Sequence, residues 1–144
     1  MLAEQLQRIK NPDRKKRFQF IMPALSADVK VRDQFFESLA DHKNREKESN
    51  VLAALNYLHH PLQQATSQKY LKQSLDLLKE IQVTGGIFFP QSWLQATFGD
   101  YQSAEALKIV NEFIKMNPNY PLKLKAKILQ ATDMLKRTQK IMGD

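Results

Sequence analysis

The chain has 144 residues, 42% of them hydrophobic, no cysteine and a net charge of +7. Its length suits one domain that can bury roughly 68–70% of its unfolded surface, so disorder is excluded as the main state. The missing cysteines exclude disulfides, thiolate nucleophiles and Cys-based zinc sites together, without fixing a compartment.

The N-terminal stretch MLAEQLQRIKNPDRKKR lacks the uninterrupted apolar run of a signal peptide. Its pattern predicts a short first helix around Leu2 to Lys10. Asn11-Pro12-Asp13 then separates this from a second helix, Arg14 to about Met22. Ser26 is the expected cap of a third helix, in which Val31, Phe35 and Leu39 recur at i, i+4 and i+8. A fourth runs through Val51 to Leu58 and stops at His59-His60-Pro61, because proline disfavours helix in the residue before it.

Ser67 opens the clearest helical run, SQKYLKQSLDLLKEIQVTGG, where Leu71, Leu75, Leu78 and Ile81 form one stripe. Gly85 is expected to end it in a left-handed conformation. Pro90 suits the first turn of a short helix holding Trp93 and Leu94. Between them, Ile87, Phe88 and Phe89 are expected to bury at a packed corner. Ser103 starts the next helix, apolar on two sides: Leu107, Val110 and Ile114 on one, Ile109, Phe113 and Met116 on the other. The last helix spans about Pro121 to Met142, with Leu124, Ile128, Ala131, Leu135 and Met142 inside an arc of about 60°.

About eight helices with short connections and no strand-like alternation predict an all-α fold, one helical domain over residues 1–144. The doubly apolar helix suggests stacked layers. A weak echo, RFQFIMPAL at Arg17–Leu25 against RDQFFESL at Arg32–Leu39, points to an α-α superhelix or HEAT-like array. No segment approaches the ~20 apolar residues of a membrane-spanning helix, so the chain as given reads as soluble.

The residues offer no catalytic signature. His42, His59 and His60 are the only histidines, and no H-E-x-x-H places two imidazoles one turn apart for zinc. His59 and His60 are expected to end their helix, where positive charge suits the dipole. No G-x-S-x-G elbow or phosphate-cradling glycine loop occurs among the four glycines. Catalytic, metal and cofactor residues are therefore assigned to none. Basic residues are spread, 11 against 8 acidic in 1–48, 3 against 3 in 49–100, and 8 against 4 in 101–144. Arg14–Arg17 reads as a solvated helix start. On the last helix Lys123, Lys127 and Arg137 flank one side of the apolar arc while Lys125, Lys136 and Lys140 flank the other, which is no single nucleic-acid stripe.

Four stretches carry a resemblance: NPDRKKRFQFIMPALSADVKVRDQFFESLAD, NREKESNVLAALNYLHHPL, SLDLLKEIQVTGGIFFPQSWL and NPNYPLKLKAKILQATD. Together, from Asn11 to Asp133, they resemble the C-terminal helical domain of M1-family zinc aminopeptidases of bacterial type. The resemblance implies a non-catalytic piece excised from a larger metallopeptidase, a hydrolase whose zinc and H-E-x-x-H motif lie in a separate domain. Such a domain closes over the active site, partners the catalytic domain and restricts the cavity to small peptides. The parent enzyme would be periplasmic or cytoplasmic. Some family members place basic residues in the loop matching TGGIFFPQSW, against a substrate carboxylate. Here Gly85 to Pro90 carry no cation, so Gly86, Phe88 and Phe89 stand only as substrate-facing loop candidates. The competing expectation is a free-standing basic α-solenoid that binds protein or nucleic acid, and it predicts a steep fall of affinity with salt.

Overall fold

The computed structural model describes Arg8 and residues 10–143. The first helix expected at Leu2 to Lys10 lies almost wholly outside these residues. The described residues form ten α-helices and two short 3-10 turns with no strand, so the chain is all-α. They fall into two compact units, Met1–Leu58 and His59–Asp144.

In the first unit, α1 (Pro12–Leu25) begins at Asn11, whose side chain accepts the N–H groups of Asp13 at 2.9 Å and Arg14 at 3.4 Å. The Asn-Pro-Asp triplet is thus a helix start as well as a separator, with proline at N1 and an acid in the first turn. The helix continues through Pro23 and closes when Ser26 N–H meets Pro23 O at 3.2 Å. One turn before a helix end, proline removes a single hydrogen bond, which this helix tolerates. Asp28, not Ser26, caps α2 (Val29–Ser38), its carboxylate accepting Lys30 N–H at 2.9 Å. Ser26 Oγ instead accepts Asp28 N–H at 3.0 Å and shapes the approach.

A 3-10 turn at His42–Arg45 leads to α3 (Glu48–Leu58), and α1 packs on both α2 and α3. The echoed phenylalanines meet: Phe20 and Phe35 stack edge-to-face with centroids 5.4 Å apart. The echoed arginines differ, Arg17 being exposed and Arg32 buried. Arg32 Nη1 donates to Ser26 O at 2.8 Å, and buried Arg45 donates to Leu39 O. Each guanidinium thereby satisfies a carbonyl at a helix C-terminus, where positive charge is favoured.

The second unit holds a 3-10 turn at Pro61–Gln63, then α4 (Gln64–Ser67), α5 (Tyr70–Asp76), α6 (Leu78–Thr84) and α7 (Phe89–Phe98). It ends with α8 (Ala104–Met116), α9 (Leu122–Ala131) and α10 (Asp133–Gly143). The single long helix expected from Ser67 is two, α5 and α6, and Ser67 itself ends the short α4 before them. The expected stripe survives the break, since Leu71, Leu75, Leu78 and Ile81 are all fully buried. The break at Leu77 has a chemical cause. Ser74 Oγ donates to Tyr70 O at 2.8 Å, and Ser74 O accepts the indole N–H of Trp93 at 3.1 Å. Such back-bonding bends helices, and a carbonyl taken by another group loosens the turn after it.

The long last helix is likewise two. Thr132 N–H and Oγ1 both donate to Ile128 O, at 3.1 and 2.8 Å, and Thr132 leaves helical geometry at φ −106°, ψ 9°. Leu124, Ile128, Ala131 and Leu135 are buried as their arc requires, whereas Met142, beyond the break, is 72% exposed. Ser103 caps α8 as expected, accepting Ala106 N–H at 3.2 Å. That helix buries one face, through Ala106, Val110 and Phe113, and leaves Met116 in solvent. In this unit α7 packs on α5, α6 and α9, while α8 packs on α5 and α10.

Candidate functional site

The turn between α6 and α7 is built from both ends. Gly85 N–H reaches back to Ile81 O at 2.9 Å, and Phe89 N–H closes on Gly86 O at 3.1 Å. Gly85 is extended at φ −99°, ψ 176°, and no described glycine has a positive φ, so the expected left-handed cap is absent. Pro90 stands in the first turn of α7, as its sequence position predicts. Phe89 is buried against Trp93, the ring centroids 6.1 Å apart and the planes at 73°.

The three candidate residues thus divide. Gly86 and Phe88 face solvent, and Phe89 anchors the turn. The packed corner expected from Ile87 and Phe88 does not form, because these side chains are 84% and 78% exposed. Val83, on the last turn of α6, is exposed as well. The result is an apolar turn held by buried aromatic anchors with its own side chains in water.

The adjacent histidines also part. His60 is exposed, and its Nδ1 accepts Leu62 N–H at 3.2 Å to start the 3-10 turn. His59 is buried, with Nδ1 2.8 Å from Tyr101 Oη and its ring edge-on to Tyr101 at 5.4 Å. Burial lowers its pKa to about 3. His59 is therefore neutral near pH 7 and cannot serve the helix dipole as a cation, which corrects the expectation. Burial, and then the charge of Tyr70, push the Tyr101 phenol up. Since His59 and Tyr101 are almost wholly inaccessible, no reactant reaches the pair, and its role is to tie the start of this unit to the segment after α7.

A cleft of about 330 Å³ opens between α5 and α8, lined by Lys72, Asp76, Ile109, Glu112, Phe113, Met116 and Asn117. Asn117 Nδ2 donates to Phe113 O at 2.8 Å, which fixes the end of α8. Phe113 meets Tyr120 edge-on at 5.2 Å, and Lys79 Nζ lies 5.1 Å from the Tyr120 ring centroid. Burial, with the Asp76 charge second, raises the Tyr120 phenol to about 12.

Among the described residues no group of three or more His, Cys, Asp or Glu side chains is placed to hold a metal ion. No described helix is long and apolar enough to cross a membrane. The chain matches no known protein family, no curated protein and no solved structure. The cleft escaped sequence reading because Asp76 and Glu112 stand 36 residues apart, each on an ordinary polar helix face. Met116, on a side of α8 expected to be apolar and covered, is exposed at the cleft.

Proposed function

We propose that the chain is a non-catalytic, all-α C-terminal domain of an M1-family zinc aminopeptidase, its helix pairs contributing to a superhelical array. In that enzyme it covers the peptide cavity and limits entry to small peptides, while the zinc that activates water sits in another domain. The observation that carries this reading is the turn at Ile87 and Phe88. Phe89 and Trp93 hold its backbone from inside, yet two large apolar side chains meet water. Burying each is worth about 1.5–3 kcal/mol, so a surface that covers them gains substantially. On this reading the covering surface is the peptide cavity with its catalytic domain, and the resemblance of the four stretches supports it.

The test is to read the native gene upstream of the Leu2 codon. A continuous frame that encodes H-E-x-x-H and a second glutamate on a following helix is the expected result. A native start at Met1 with no protease domain before it overturns the reading. In the whole enzyme, Phe88→Ala is expected to raise KM for tri- and tetrapeptides several-fold while kcat on a small aminoacyl reporter stays unchanged. Equal kinetics on both substrates would remove Phe88 from the cavity wall.

A further inference from the structure

The stretches around His59 and Tyr101 meet along a seam inside the second unit. Gln64 Nε2 donates to His59 O at 3.3 Å and to Asp100 O at 2.9 Å, and Ser103 Oγ donates to Gln68 Oε1 at 3.5 Å. The seam is shallow. Residues 60–66 are exposed or half-buried, as are Asp100, Gln102 and Ser103, while His59, Ser67 and Tyr101 are buried. Segments that bury so few side chains open at lower free energy than well-buried helices.

His59 is the buried histidine of this seam, and its geometry suits a neutral ring alone. Nδ1 lies 2.8 Å from Tyr101 Oη, and Nε2 is buried with no partner. A neutral imidazole can donate from Nδ1 to the phenol and keep Nε2 as a bare acceptor. A protonated ring carries a second N–H at Nε2, and the seal offers it neither acceptor nor counter-charge. The titratable and charged groups around it give no relief. Tyr70 on α5 meets the ring edge-on at 6.4 Å, with Lys69 Nζ 5.4 Å from the Tyr70 centroid. His60 is exposed, and Asp100 joins the seam through its backbone carbonyl. Among the described residues no carboxylate pairs with His59, and burial alone lowers its pKa.

We infer that His59 and Tyr101 form an acid-released latch: a second ring proton on His59 parts residues 60–68 from residues 100–103 while α5 to α9 stay folded. This inference stands apart from the aminopeptidase reading and concerns a local opening, not the melting of the chain.

Amide hydrogen exchange is followed by NMR on the isotope-labelled full chain between pH 7 and pH 4.5, with each rate corrected for its intrinsic pH dependence. The seam reporters are the hydrogen-bonded amides of Gln63, Gln68 and Tyr101, and the references are those of Ile81 and Thr132. An opened seam takes up the proton near the ordinary value of 6.5, so opening is favoured as pH falls below it. Seam protection is expected to fall by up to about tenfold per pH unit and to end about tenfold or more below that of Ile81 and Thr132. His59→Gln should flatten this slope. Tyr101→Phe, which keeps the ring, should lower seam protection several-fold at pH 7 and retain the slope. Equal protection of seam and references at every pH would mean that the pair yields only with the whole unit. A slope that persists in His59→Gln, or vanishes in Tyr101→Phe, would assign the proton elsewhere. Each of these results overturns the latch.

Discussion

At Thr97 the chain buries a hydroxyl that has no hydrogen-bond partner among the described residues. Leaving such a group unsatisfied costs about 1 kcal/mol or more, and valine fills the same volume without it. Thr97→Val is therefore expected to raise the unfolding free energy by about 1 kcal/mol in a denaturant titration. A loss of stability would mean that the hydroxyl is bonded after all. His59 makes the opposite point through pH. Its folded pKa, about 3, lies below its ordinary value of 6.5, so the unfolded chain takes up the proton first. Stability falls as pH drops below about 6.5, by up to about 1.4 kcal/mol per pH unit, and this loss levels off near the folded value. His59→Gln removes that one-proton slope, so between pH 7 and pH 4.5 it should lose less stability than the parent. Identical losses would show that His59 is not the buried neutral group described. Neither residue declares its role in sequence. His59 and His60 are neighbours, but Tyr101, 42 positions from His59, decides which of them is sealed.

Helix starts are the legible part of this fold, because a cap is a local matter of two or three residues. Ser103 and Pro90 mark the starts expected of them and Asn11 caps a helix expected from Arg14, whereas Ser26 and Ser67 do not open theirs. Helix breaks are not local. The interruption at Leu77 depends on Trp93 reaching Ser74 O from a different helix, and periodicity alone reads straight through it. The end of α7 shows a related constraint. A Cβ on Gly99 would sit 2.5 Å from the carbonyl oxygen of Gln95, which is backbone and cannot swing aside. Gly99→Ala is expected to cost about 1–3 kcal/mol, as overpacking does, and to lower the melting temperature. An unchanged melt would show that α7 ends in a looser geometry. Gly85 stands where a left-handed cap is expected, yet its backbone is one that any residue adopts, and the residue with a steric reason is Gly99.

On the scale of the whole molecule, the helical class was plain from the sequence, whereas the surface was not. Hydropathy placed Ile87 and Phe88 in a corner because apolar residues usually find cover, and nothing in a linear pattern says that cover is missing. The double substitution Ile87→Ser and Phe88→Ser should change stability by no more than about 0.5 kcal/mol, since both side chains already lie in solvent. It should reduce binding of a hydrophobic dye and self-association at high concentration. A clear loss of stability would mean that the turn packs inward. The basic charge behaves differently from its composition too. Arg32 and Arg45 spend their guanidinium groups on carbonyls inside the first unit, so fewer cations face outside partners than the sequence total implies.

The burial of Trp93 has a spectroscopic consequence. It is the chain's sole tryptophan, fully enclosed and hydrogen-bonded within the unit His59–Asp144. Its emission should be blue-shifted in the native state and should redden only when that unit opens. Far-ultraviolet circular dichroism, by contrast, counts helices in both units. Following the two signals through one denaturant titration therefore reads the cooperativity of the chain directly: a single shared midpoint marks one melting body, and a lag between the curves gives the free-energy difference between its halves.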